Sequence, residues 1–357
     1  MAQNYRPGLT KEEVSELYNI PLKDIIKLAS NENPHGPSSQ IKQVLAESRD
    51  LHLYPPGRGE NLVKALRESF PEIASGKIVI GNGMDNVLEC LGRALLNPGD
   101  KVIIPVPTFS YYEMVSEWRR CNIRFLRFEP SRGISSEAII HSLQAGAKMI
   151  FLCSPNNPTG QVLSNDEVLE IVRVAKKHET FVFLDEAYIE FAQIDSLISE
   201  VQKHTNLIIG RTFSKLYGLA GLRIGWGVIP ENIFRNYQKV QTPFAANSLA
   251  LATAQTALKD QKHTEFCIKE NYRGRRLLNQ GLEEMGYEVL PSEANFVAFD
   301  SRDSRMAEYL MKEGIIVRDV RHFRGSKIGL IRCTVGTFAE NERLLQTMKR
   351  INNVLTN

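Results

Sequence analysis
Two hydrophobic patterns alternate along the first two thirds of the chain. Short, nearly continuous apolar runs at 77–80, 101–105, 122–128, 147–153, 180–184, 206–210 and 226–229 read as buried strands. Between them, apolar residues at helical spacing predict helices over 60–70, from Met84 onward, and over 111–119, 135–144 and 165–178. Strands apolar at nearly every position need cover on both faces, so the pattern predicts a mostly parallel sheet between helices, an α/β fold. Ahead of it, Thr10 and Glu13 have the spacing of a capping box at a helix start. The stretch 247–286 contains no proline and reads as one long helix, with room for a bend. Apolar runs at 287–290, 295–299, 314–318 and 327–335, with a terminal helix at 339–354, predict a smaller α+β unit. The division expected is 46–246 for the large domain, 1–45 with 287–357 for the small one, and 247–286 for the connection.

Open sheets of this kind bind ligands beyond the carboxyl ends of their strands. Gly83, Phe109, Asn157, Asp185, Tyr188 and Lys215 all fall at such ends. Gly81-Asn82-Gly83 joins a strand to a helix, where free N–H groups make an anion site. The third glycine of a dinucleotide fingerprint is missing, since Asn86 stands in its place, and a plain strand-to-helix turn is the competing reading. Lys215 lies between a strand end and a glycine-rich loop. Poor solvation there lowers the cost of the neutral amine and favours attack on an aldehyde. Thr212, Ser214 and Arg223 offer two hydroxyls and a guanidinium, a set suited to a phosphate monoester. A lysine beside a phosphate site is what a pyridoxal phosphate Schiff base requires. Asp185 ends an apolar strand and needs a donor: either it is a cap or structural ion pair, or it meets a protonated pyridine nitrogen. Tyr188 and Asn157 can reach a phenolic oxygen on the same ring, and Phe109 offers a face for stacking or simply packs in the core.

Composition narrows the class. The 357 residues are 43% hydrophobic and 24% charged, with a net charge of +3, values of a globular enzyme without a nucleic-acid footprint. Five scattered cysteines, Cys90, Cys121, Cys153, Cys267 and Cys333, form no CxxC pair. They argue against a zinc site or a disulfide framework, and for a reducing cytoplasm. The first residues lack the apolar core of a signal peptide, and no run approaches the ~20 apolar residues of a membrane span.

Asn157-Pro158-Thr159-Gly160, Asp185-Glu186-Ala187-Tyr188, Ser214-Lys215 and Arg223 together resemble the motifs of fold-type I pyridoxal phosphate aminotransferases, over essentially the whole chain. Tyr5-Arg6-Pro7-Gly8, Asn31-Glu32-Asn33-Pro34, Tyr54-Pro55-Pro56-Gly57 and Ile331-Arg332-Cys333-Thr334-Val335-Gly336 resemble the histidinol-phosphate aminotransferase family in particular. The resemblance implies pyridoxal 5'-phosphate as cofactor, no metal, and a cytoplasmic homodimer exchanging an amino group between glutamate and histidinol phosphate. Lys215 would bind the cofactor and move the proton, and Asp185 would meet the ring nitrogen. Asn157 and Tyr188 would contact the ring oxygen, and Phe109 would stack. Met84 and Asp85 through their backbone, with Thr212, Ser214 and Arg223, would hold the phosphate, reached also by Tyr54 of the neighbouring subunit. Arg332, assisted by Arg318, would clamp the substrate, and the segment from Asn31 to Gly36 would line its entrance. Two departures bear on the substrate: Phe109 stands where a tyrosine is common, and Arg321-His322-Phe323-Arg324-Gly325 reads either as a phosphate site or as a solvated loop. The competing functions are an aromatic amino-acid aminotransferase, a pyridoxal phosphate-dependent decarboxylase of a phosphorylated amino acid, and a nucleotide-binding protein.

Overall fold
The computed structural model describes residues 8–55, 57–73 and 75–356. Tyr5, Arg6, Pro7 and Pro56, part of the motifs above, lie outside them. Thirteen strands follow in chain order: β1 (Ile26–Lys27), β2 (Lys77–Asn82), β3 (Lys101–Val106), β4 (Asn122–Arg127), β5 (Met149–Cys153), β6 (Phe181–Asp185), β7 (Leu207–Thr212), β8 (Ile224–Ile229), β9 (Glu288–Leu290), β10 (Phe296–Asp300), β11 (Ile315–Ile316), β12 (Arg318–Asp319) and β13 (Leu330–Thr334). A seven-stranded sheet has the order β2-β8-β7-β6-β5-β3-β4. Only β8 runs against its neighbours, β7 and β2; the other pairings are parallel.

Alternate side chains of these strands feed two separate cores. Ile150, Leu152, Val182, Leu184, Leu207 and Ile209 pack on one face. Met149, Phe151, Phe183 and Ile208 pack on the other. Strands buried on both sides carry no polar alternation, which is why they are legible as plain apolar runs. The stretch 247–286 forms two helices, Ser248–Lys259 and Gln261–Glu284. They break at Asp260, whose carboxylate accepts the His263 N–H at 3.1 Å and caps the second helix. The first buries Ala250, Leu251 and Ala254 in a core of the large sheet. The second reaches a further core through Leu278 and Leu282, packed against Phe299, Ile331 and Leu344.

A four-stranded antiparallel sheet, β12-β13-β10-β9, and the parallel pair β1-β11 complete the fold. The capping box forms as its spacing predicts: Thr10 Oγ1 accepts from the Glu13 N–H at 3.1 Å and Glu13 returns the contact at 2.7 Å. Three helices had no clear signal in the sequence pattern: Met306–Lys312, of only seven residues, and Gln40–Glu47 and Glu231–Val240, which bury only Ile41, and Ile233 with Tyr237. So few core positions leave a weak period.

Candidate active site
A cavity of about 420 Å³ opens at the carboxyl ends of the central strands and is walled from both sheets. It collects Met84, Asp85, Phe109, Asn157, Asp185, Tyr188, Thr212, Ser214, Lys215 and Arg223 from the large sheet, and Asn31, Arg318 and Arg332 from the rest. Gly36 lies outside the cavity, and Tyr54, expected at the neighbouring subunit's site, lies at the surface. The Gly36 carbonyl faces His263 Nε2 at 3.1 Å, and its backbone packs against Gly218. Of the segment 31–36, only Asn31 and Glu32 line the cavity. Tyr54 is 82% exposed and stacks on Phe244 with ring centroids 4.8 Å apart.

At one end lies the anion site. The helix Gly83–Leu95 starts there, and its N-cap Asn82 places no side chain on the first turn. Thr212 and Ser214 are buried beside it, and Arg223 Nη2 donates to Asp85 Oδ2 at 3.1 Å. Burial pushes the Asp85 carboxyl up, against the pull of Arg223. Two glycines permit this crowding. A Cβ on Gly83 would meet Arg223 Nη2 at 2.6 Å, and a Cβ on Gly225 would meet the Met84 nitrogen at 2.2 Å.

At the other end, Asp185 is 2% exposed. Burial raises its pKa to about 6, while hydrogen bonds from Tyr112 and the Ala187 N–H act against that rise. Among the described residues it has no ion pair. Between the two ends, Lys215 Nζ donates to the Ser30 carbonyl at 3.0 Å and lies 5.7 Å from the centre of the Tyr188 ring. Burial, and then the Arg332 charge, lower its pKa to about 8.

The donor set is oriented. Asn31 Nδ2 donates to the Tyr188 hydroxyl at 3.1 Å, which leaves the Tyr188 proton to be given elsewhere. Burial raises the Tyr188 pKa, so the hydroxyl stays protonated. Arg332 Nη1 donates to Asn157 Oδ1, so the donor end of that amide is the one left for a ligand. Arg332 and Arg318 are directly opposed in the β12-β13 register and so project from the same face. A cavity with an anion cradle, an amine between, and an unpaired buried carboxylate suits a molecule with a phosphate, an aldehyde and a basic ring nitrogen. Pyridoxal phosphate has those three groups, and the residues fit it.

In the basic stretch Arg321 and His322 are exposed, as in a solvated loop, while Arg321 and Arg324 are paired within the protein. Arg324 forks onto Glu113 with contacts of 2.6 to 3.1 Å and lies 4.4 Å over the Phe125 ring. Arg321 is held by Asp319 and the Ser304 carbonyl, and it is Phe323 that reaches the cavity. Tyr111, Met114 and Tyr112 also belong to the site or its support and were not singled out from the sequence. Tyr112 lies three residues beyond Phe109, in the first turn of the helix Tyr111–Trp118, a position that any core residue could take.

Fold and site together define a pyridoxal phosphate-dependent enzyme of fold type I. The family model for aminotransferase class I and II matches residues 23–348, and the chain belongs to that family. It is 37% identical to the histidinol-phosphate aminotransferase of Methanococcoides burtonii over 351 residues, 97% of this chain and 96% of the relative. It is 39% identical to that of Methanocella arvoryzae over 355 residues, 98% and 96% of the two chains. The fold is similar to that of histidinol-phosphate aminotransferase from Sinorhizobium meliloti in complex with pyridoxal-5'-phosphate, with a TM-score of 0.86 at 23% identity, over 98% of this chain and 96% of that one. The protein is a pyridoxal phosphate-dependent aminotransferase.

Proposed function
We propose that the enzyme exchanges an amino group between glutamate and histidinol phosphate, with 2-oxoglutarate and imidazole-acetol phosphate as the paired oxo compounds. The observation that carries this reading is the identity of 37–39% to relatives of that name over nearly the whole chain. When bound, pyridoxal phosphate supplies an electron sink for the pair released at the substrate α-carbon. The Met84 and Asp85 backbone, Thr212, Ser214 and Arg223 anchor its phosphate, and Phe109 flanks its ring. Asp185 keeps its ring nitrogen protonated, while Asn157 and Tyr188 donate to its ring oxygen. Lys215 Nζ binds it and carries the proton taken from the substrate α-carbon; a pKa of about 8 makes that amine a competent base near neutrality. Arg332, with Arg318 beside it, holds the substrate carboxylate or phosphate. A rigid clamp by Arg332 would fix the substrate so that its α-carbon proton is presented to Lys215.

The active unit is proposed as a homodimer in the cytoplasm. No helix among the described residues is long and apolar enough to cross a membrane. The lobes are proposed at 46–246 and at 1–45 with 287–357, joined through 247–286.

The test follows the visible spectrum of the cofactor-loaded enzyme as histidinol phosphate, phenylalanine or glutamate is added. Conversion to the pyridoxamine form far faster with histidinol phosphate than with phenylalanine is the expected result. A stronger response to phenylalanine would move the assignment to an aromatic amino-acid aminotransferase.

A further inference from the structure
We propose that Tyr112 is a positioning residue whose hydroxyl aims and holds the Asp185 carboxylate that meets the cofactor's ring nitrogen. The inference rests on the cofactor reading above and adds a residue to it. Tyr112 is 0% exposed, and its hydroxyl donates to Asp185 Oδ2 at 2.5 Å. The other oxygen, Oδ1, accepts the Ala187 N–H at 2.8 Å. Each carboxylate oxygen therefore takes one donor from the protein and keeps lone-pair capacity for a ligand in the cavity.

The hydroxyl cannot swing away, because its ring is fixed. It lies parallel to Phe151, with centroids 5.2 Å apart and planes 6° apart, and is tilted against Phe183 at 6.3 Å. It also meets Phe109 edge-on at 5.7 Å and 87°. One buried side chain thus supports both the proposed ring-stacking residue and the carboxylate at the ring nitrogen.

The surroundings of Asp185 show why a donor is needed. Asp85 and Glu186 oppose its ionisation, as does burial, and the Cys153 thiol and Tyr188 hydroxyl face it as neutral groups. Against these stand two donors. The Ala187 N–H is backbone and is fixed by the turn. Tyr112 supplies the only side-chain hydrogen bond that holds Asp185 ionised among the described residues. Burial pushes the Tyr112 pKa up, so it stays a donor across the working range of pH. A carboxylate that loses this donor binds its own proton more tightly and holds a protonated ring nitrogen less well.

The experiment compares wild type with Tyr112→Phe as holoenzymes carrying cofactor labelled with nitrogen-15 in the ring. The resonance reports ring-nitrogen protonation directly, independently of turnover. In the variant the pH midpoint for loss of that proton should fall by about one unit or more, and cofactor affinity should weaken about tenfold or more, as for a lost hydrogen bond to a charged group. Turnover should drop while the KM for glutamate holds. Phe151→Leu keeps the hydroxyl and only loosens the ring that carries it, and should move the midpoint clearly less than Tyr112→Phe does. An unchanged midpoint and affinity in Tyr112→Phe would overturn the proposal, as would the same shift in Phe151→Leu, which would assign the effect to packing. A wild-type chain that takes up no cofactor would instead overturn the reading on which the proposal rests.

Discussion

At the scale of single residues, the site is a set of groups held away from their ordinary ionisation. Asp185 costs stability so that a ligand can be held. Its folded pKa of about 6 lies above the ordinary 3.8, so between those values the folded state binds more protons than the unfolded one. Its contribution is therefore present at low pH and is lost as pH rises through that window. About two units correspond to about 3 kcal/mol. Cofactor-free Asp185→Asn should match wild type near pH 4 and exceed it in stability by that order above pH 6, while losing cofactor affinity. Urea unfolding of both proteins at the two pH values checks this, and an equal difference at both would refute it. Lys215 has the opposite displacement: its amine is held below its ordinary value, so its burial costs stability below about pH 8 and is relieved at higher pH.

At the scale of elements, the phosphate end depends on how closely a helix start can approach a strand. Gly225 lies opposite Gly81 and Thr212 in the sheet register, and its missing side chain makes room for the peptide between Gly83 and Met84. Gly225→Ala should displace that helix start, cost about 1–3 kcal/mol in stability as an overpacked site, and weaken cofactor binding more than tenfold. Gly221→Ala, a few residues earlier, has open space around it and should change neither. Cofactor titration by fluorescence with thermal unfolding compares the two; equal effects would show that the close approach does not matter. This dependence is invisible in the pattern of apolar positions. A glycine inside a strand signals a close approach but does not say what approaches.

At the scale of the whole molecule, one contact joins distant parts of the chain beside the cavity. The Arg324–Glu113 fork ties the loop before β13 to the helix Tyr111–Trp118, and Phe323 from the one and Tyr111 and Met114 from the other all line the cavity. Glu113 is buried, so Arg324→Ala would leave an unpaired carboxylate there. A second contact is proposed between subunits. Tyr54 is exposed and stacks on the exposed Phe244, and Leu51 and Leu53 are exposed as well, an arrangement suited to a second copy of the chain. Sedimentation should show a dimer, and Tyr54→Phe should keep the dimer while weakening cofactor binding several-fold through a lost hydroxyl–phosphate contact. Unchanged affinity in a dimeric variant would remove Tyr54 from the site.

The sequence by itself determined the α/β class, the order of the central strands along the chain and the residues at their ends. Buried parallel strands and capped helices are set by local periodicity, and Asp185, Asn157 and Lys215 stand out because polar groups at apolar strand ends need partners. Only the tertiary structure decided which polar group met which. It gave Asp185 to Tyr112, Tyr188 to Asn31, Asn157 to Arg332, and Arg324 to Glu113 rather than to a ligand. It also placed Gly36 outside the cavity and turned β8 against its neighbours. These four pairings join residues from 73 to 211 positions apart, and no local period encodes them. They follow from packing two cores against one sheet, which brings side chains together by shape and burial rather than by their order in the chain.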